Sequence, residues 1–332
     1  MRDLKEAKFY SRIDSRHVKC VLCPHNCTIN DGASGICGAR KNDGGVLYSI
    51  IYGMVTAVAM DPIEKKPLYH FYPGSRILSI GTKGCNLKCP YCQNWHISQD
   101  MSAVAEFYEP GDVVDLAVRN NSIGVAYTYS EPMIWFEYVM DTAGLCREKG
   151  LRNVMVTNGY VNSEPLGELL GLVDAMNVDL KSFREETYRK INRGGLREVC
   201  ETIRMSRERG CHVEVTTLIV TGINDDMDEM KDIIDFLSSI DKNIPWHISR
   251  YFPNYKYHEA ETDVEFMKRI YAEGRKKLNH VYCGNVAIHE GSDTSCPSCG
   301  NLLVKRSGYN TKIAGLKSGM CSRCGAGTGI KI

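Results

Sequence analysis

RILSIGTKGCNLKCPYC, residues 76–92, passes directly from a strand pattern into a loop that holds three cysteines. RILSI reads as a buried strand, because the run is short, rich in Ile and Leu, and closed by Gly81. The residues after it cannot continue as a helix. Pro90 would cost about 3 kcal/mol inside one, and Gly81, Gly84 and Asn86 favour irregular backbone. The i, i+4, i+7 spacing of Cys85, Cys89 and Cys92 is therefore read as a ligand set rather than as the apolar face of a helix.

Beyond this run the chain alternates short apolar segments with amphipathic ones. IGVAYTY (123–129), NVMVT (153–157), AMNVDL (175–180), HVEVTTLIV (212–220), WHIS (246–249) and HVYC (280–283) read as further strands, bounded by Gly, Asn, Asp or Pro. Helical periodicity falls around Val113, Leu116 and Ala117 and over 133–149, 184–209, 226–240 and 263–278. Alternation at this spacing predicts parallel βα units, in an open doubly wound sheet or a full or partial barrel. In both, ligands bind at the carboxyl ends of the strands, which is where the three-cysteine loop sits.

Composition narrows the setting. The 332 residues are 43% hydrophobic and carry a net charge of +1, so no whole-protein field gathers nucleic acid or anionic membrane. No apolar run reaches the roughly 18 residues of a spanning helix, and the amino-terminal stretch is charged where a signal peptide is apolar. A cytoplasmic protein is expected. In that reducing compartment the fifteen cysteines are not a disulfide framework, so clustered ones read as metal ligands and Cys146, Cys200, Cys211 and Cys283 as small buried hydrophobes.

Three thiolates suit an iron–sulfur cluster better than structural zinc. Zinc closes a four-ligand tetrahedron, whereas a four-iron cluster held at three corners leaves one iron open. The pattern Cys85-Asn-Leu-Lys-Cys89-Pro-Tyr-Cys92, with an aromatic before the last cysteine, resembles the motif of radical S-adenosylmethionine enzymes. The resemblance covers about residues 76–285 as a partial (β/α)6 barrel of the TIM type, and is nearest to the pyruvate formate-lyase activating-enzyme-like branch. DPIEKKPLYHFYPG (61–74), YCQNWHIS (91–98), TYSEP (128–132), TNGY (157–160), NVDLKSF (177–183), WHISRYFP (246–253) and a terminal CPSCG further resemble the subgroup called AmmeMemoRadiSam system radical SAM enzymes.

The resemblance implies a [4Fe-4S] cluster on Cys85, Cys89 and Cys92 that binds S-adenosylmethionine at its open iron and passes it one electron. Methionine and a 5′-deoxyadenosyl radical result. Tyr91 is expected against the adenine. The Gly-Gly-Glu usual at the second strand end is here Tyr129-Ser130-Glu131, so Glu131 can still accept from the ammonium while the backbone is less permissive. Asn158, Asp179 and Lys181 offer partners for ribose and methionyl carboxylate. For the target, Arg250 and His247 at the sixth strand end are expected to be catalytic contacts. The run Glu64-Lys65-Lys66 reads as a solvated loop.

Two other cysteine sets remain. Cys296, Cys299, Cys321 and Cys324 form two knuckles whose spacing fits a zinc ribbon or a rubredoxin-like iron site, with zinc preferred. Cys20, Cys23, Cys27 and Cys37 fit zinc or a second cluster, and a structural metal is the preferred reading. The expected division is an amino-terminal Cys-rich segment (1–75), the barrel (76–285) and a ribbon-like domain (286–332). The function read from all this is a radical enzyme that abstracts hydrogen from a protein or small-molecule target. It would take electrons from a reductant such as flavodoxin or ferredoxin, and its target could be a Memo-like or other protein encoded nearby. One rival is an RNA-modifying radical enzyme guided by the tail, which from residue 296 holds Lys305, Arg306, Lys312, Lys317, Arg323 and Lys331 and no acid. The tail offers Tyr309 alone for base stacking, so nucleic acid is not the expected partner. The other rival, a non-enzymatic metal-binding adaptor, leaves the three-cysteine loop unexplained.

Overall fold

The computed structural model describes residues 4–286 and 291–332. The first three residues of the amino-terminal segment and 287–290 of the ribbon segment lie outside that description. At the centre is an eight-stranded sheet whose strands neighbour one another in chain order. Seven are parallel: Arg76–Gly81, Gly124–Tyr127, Arg152–Thr157, Ala175–Asp179, His212–Ile219, Trp246–Arg250 and Val281–Gly284. Each coincides with a strand expected from its apolar run. The sequence pattern did not show the eighth, Ala57–Pro62, which lies antiparallel along the first parallel strand from Ala57↔Gly81 to Pro62↔Arg76. Its alternating half-exposed residues mark an edge strand.

The sheet stays open, with Ala57–Pro62 and Val281–Gly284 as its two edges. It nevertheless wraps around one cavity, lined by residues at the ends of the parallel strands or in the loops that follow them. The architecture is thus an α/β partial barrel, one parallel strand longer than the six-stranded form expected. Helices cover its outer face. Met227–Asp241 starts where the Asp226 side chain accepts from the Glu229 backbone N–H, and it buries Met230, Ile233, Ile234 and Leu237 at helical spacing. Val264–Gly274 is capped in the same way by Asp263 and buries Phe266, Met267, Ile270 and Gly274.

The expected helix over 184–209 is broken. A π-turn at Tyr188–Asn192 ends in Arg193, whose φ is 61°, and a new helix begins at Leu196. Helical periodicity runs through the break, since Gly194 and Gly195 interrupt the backbone without interrupting the pattern.

Two small antiparallel units flank the barrel. Near the amino end, Tyr10–Arg12, His17–Cys20 and Thr28–Asn30 form one three-stranded sheet, and Lys5–Glu6, Val46–Ser49 and Arg40–Asp43 another. At the carboxyl end Thr294–Ser295, Leu302–Ser307 and Asn310–Ile313 form a third, beside the pair Leu316–Lys317 and Met320–Cys321. The buried centre of this last unit is Cys296, Leu303, Val304, Cys321 and Ile330. No helix among the described residues is long and apolar enough to cross a membrane.

Candidate active site

The cavity has a volume of about 1000 Å³, and Cys85, Cys89 and Cys92 stand in its wall with Tyr91, Glu131, Asn158, Asp179, Lys181 and His247. Nine of the ten residues expected at the site are therefore gathered around one space. Its size is at the upper end for a small-molecule pocket.

Each thiol of the loop has its own hydrogen-bond donor. Cys85 Sγ accepts from the Leu87 backbone N–H at 3.3 Å and from Asn158 Nδ2 at 3.6 Å. Cys89 Sγ accepts from Asn192 Nδ2 at 3.1 Å. Cys92 Sγ lies 3.2 Å from Ser98 Oγ, a hydroxyl able to donate to the deprotonated sulfur. Burial raises the Cys85 and Cys89 thiols above their ordinary range. These donors favour the deprotonated sulfur that a metal requires. The residues fit a cluster held at three corners.

Asn192 was hidden from sequence reasoning. It ends the π-turn, is fully buried, and its Nδ2 also reaches Tyr91 Oη at 2.7 Å, so one amide holds both a ligand and the neighbouring ring. The only sequence sign was the Gly194-Gly195 pair behind it. π-turns inside helices often mark functional positions.

Glu131 is almost wholly buried. Oε1 accepts from the Met133 N–H at 2.9 Å and from Thr157 Oγ1 at 2.6 Å, and Oε2 accepts from the Asn158 N–H at 2.8 Å. Burial pushes its carboxyl up to about 7, against the lowering by Thr157 and the two N–H groups. Ahead of it Tyr129 takes the place of a flexible residue with φ of 69°, a conformation that costs an ordinary residue about 1–3 kcal/mol. It is held there by three contacts: its Oη donates to Asp61 at 2.7 Å, its carbonyl accepts from Asn94, and Lys66 Nζ lies 4.5 Å from its ring.

Lys66 and Glu64 correct the expectation of a solvated loop, being 2% and 3% exposed, while Lys65 alone faces water. Lys66 pairs with Asp61 at 2.8 Å, and Glu64 faces Arg306 at 3.9 Å. Both line the cavity. Lys181 also lines the cavity, where its Nζ pairs with Asp179 at 2.8 Å, and that carboxylate raises the ammonium against its desolvation.

His247 faces inward, with Nε2 2.7 Å from Glu214, a fully buried carboxylate that also takes His212 Nε2 and the Tyr69 and His70 N–H groups. Arg250 is not brought to the cavity. His247 and Ser249 line it, so strand alternation turns residue 250 outward, where its guanidinium holds Glu261 at 2.6 Å and the Thr262 carbonyl at 3.0 Å.

At the carboxyl end Cys296–Cys324 and Cys299–Cys321 approach to 3.7 Å, and all four sulfurs lie within 4.8 Å of one another. A metal with bonds of about 2.3 Å to four sulfurs sets a tetrahedron edge of about 3.8 Å. The four cysteines fit one ion. Of the tail's cations, Arg306 is buried, donating to the Tyr69 carbonyl at 2.7 Å, so it does not belong to a basic surface for RNA.

The model described as Radical SAM superfamily matches residues 79–237. A Methanocaldococcus jannaschii chain described as uncharacterized protein MJ0808 is 42% identical over 332 residues, covering 97% of this chain and 98% of its own. The pyruvate formate-lyase-activating enzyme of Clostridium pasteurianum is 25% identical over 227 residues, 62% of this chain and 89% of that one. Among solved structures, a radical SAM methyltransferase from Sphaerobacter thermophilus superposes with a TM-score of 0.51 at 16% identity, covering 70% of this chain and 71% of that one, which speaks to the fold alone.

Proposed function

The chain belongs to the radical S-adenosylmethionine superfamily as an activating-enzyme-like enzyme, and from that premise we propose that Cys85, Cys89 and Cys92 hold a four-iron cluster at three corners with S-adenosylmethionine beside it. When bound, the cluster supplies the electron that cleaves the sulfonium to methionine and a 5′-deoxyadenosyl radical. The chain's own residues bind, orient and enclose. Tyr91, braced by Asn192, offers its ring to the adenine. Glu131 accepts from the methionyl ammonium with the lone pairs its backbone donors leave free. The Asp179–Lys181 pair meets ribose hydroxyls and the carboxylate, and Asn158 places its amide between Cys85 and the cofactor.

The observation that carries this reading is the convergence of three separately braced thiols with those partners on one cavity. His247, fixed by Glu214, stands on the wall left for the target, and that target is a protein segment offered to the cavity for hydrogen abstraction. The reductant is a flavodoxin or ferredoxin in a reducing cytoplasm. We assign the chain to the AmmeMemoRadiSam subgroup on its motifs at 61–74 and 246–253, which makes a Memo-like protein a candidate target. The remaining division is an amino-terminal Cys-rich segment to residue 75 and a zinc ribbon from 286.

Anaerobically reconstituted protein with a strong reductant is expected to convert S-adenosylmethionine to 5′-deoxyadenosine, and Cys89→Ala is expected to lose that conversion. Equal turnover by the variant would sink the assignment.

A further inference from the structure

The amino-terminal cysteines form a site that the loop's chemistry does not use. Cys20, Cys23, Cys27 and Cys37 line one small enclosed cavity together with His25 and Arg40. Their arrangement differs from the ribbon. Among the described residues, Cys296, Cys299, Cys321 and Cys324 are the one group of three or more metal-binding side chains with every donor atom within 4.8 Å of the others. No three of the amino-terminal sulfurs are that close, so a single ion with bonds of about 2.3 Å cannot reach them as they stand. A cubane calls for wider spacing, because it places a metal between its centre and each sulfur.

The walls carry the donors such a group needs. Arg40 is 1% exposed and points Nη1 at Cys20 Sγ, 3.9 Å away, while the Ala39 N–H points at Cys37 Sγ, 3.5 Å away. Glu137 holds the Nη2 end of Arg40, yet the Arg40 Nε has no hydrogen-bond partner among the described residues. A buried cation with a spare donor suits an anionic cluster of thiolates and sulfide.

The same site touches the radical loop. His25, two residues after Cys23, donates Nε2–H to the backbone carbonyl of Asn86 at 2.7 Å, and Asn86 follows Cys85 directly. Asn86 Oδ1 in turn accepts from Asn158 Nδ2, the group that also reaches Cys85. At Gly84, where φ is 93°, a side-chain carbon would lie 2.6 Å from the Cys37 carbonyl, so only glycine lets the two ligand-bearing segments meet. On the outer side Ile36, next to Cys37, is 51% exposed.

We propose that Cys20, Cys23, Cys27 and Cys37 hold a second four-iron–four-sulfur cluster, in contact with the Cys85–Cys92 loop and open to one-electron exchange with it. Its iron content does not depend on the loop's assignment, and the test separates the two. In full-length protein reconstituted with iron and sulfide, the variant with Cys85→Ser, Cys89→Ser and Cys92→Ser is expected to keep about four irons and four labile sulfides, against about eight of each in the unaltered chain. If it keeps no iron–sulfur absorbance and instead carries a second zinc beside that of the ribbon, the proposal is overturned. The converse variant, Cys23→Ser with Cys27→Ser, is expected to lose about four irons and leave the ribbon's metal in place. In the reduced unaltered chain, paramagnetic resonance should show the broadening of two neighbouring spins, and either variant should remove it. A narrow, isolated signal from unaltered protein that holds a full complement of iron would overturn the contact between the clusters.

Discussion

In the carboxyl-terminal ribbon four sulfurs approach to 3.7 Å across a centre whose other buried members are Leu303, Val304 and Ile330. Around the cavity three sulfurs stand apart, with neighbours in the loop's own Leu87, in Ser98 of the short helix after it, and in Asn192 of the distant π-turn. With so small a buried centre the ribbon is expected to need a metal to fold, whereas the loop is expected to keep the shape the barrel gives it whether or not it is filled. On the proposed assignments similar residues would play opposite parts: in one region metal would build the structure, and in the other structure would prepare for the metal.

The largest effect should come from emptying the ribbon. Cys299→Ser with Cys324→Ser is expected to remove an apparent 10–16 kcal/mol of metal-linked folding energy, about that of zinc-finger peptides, and to make residues 294–332 sensitive to protease. Cys85→Ser is expected to leave the barrel's urea midpoint nearly unchanged. A barrel that unfolds with the loop variant would abolish the contrast. Next is the seam between the regions: Arg306→Met strands Glu64 in a buried site and should cost about 3–5 kcal/mol in denaturant titration.

Within the barrel, Glu131 gives a pH dependence. Its carboxyl is raised from 4.5 to about 7 in the folded chain, so the folded state holds its proton more tightly than the unfolded state. That stabilisation is fully present below pH 4.5, falls as pH rises, and is gone above about 7. The span is about 3 kcal/mol at 1.36 kcal/mol per unit. Glu131→Gln should flatten the stability profile across that window, and an unchanged slope would mean that another group carries it. The smallest effect is expected of Asn192→Ala, which removes one donor to Cys89. The reduction potential of the loop's cluster should fall, measured by voltammetry, while the fold persists.

Much of the barrel could be read from the sequence, because parallel strands buried on both faces leave unbroken apolar runs between turn residues. The three-cysteine loop was equally plain, since its proline and glycines exclude a helix. What escaped depended on how the fold brings side chains together and on the local path of the backbone. Lys66 and Glu64 look like solvated charges until Asp61 and Arg306 are brought to them, the latter from 242 residues away. Asn192 hid within a helical pattern that the backbone interrupts. Arg250 was misplaced although alternation along Trp246–Arg250 already carried the answer: with His247 inward, residue 250 is outward. Position next to a site is a weaker guide than the face of the strand.

Ser307, Gly308 and Tyr309, from the ribbon's hairpin, form part of the cavity wall. If the ribbon folds around a metal as proposed, a chain starved of that metal would lose this part of the wall and become an unlidded vessel. On the proposed reading, supply of one metal would act as a safety interlock on chemistry performed at another.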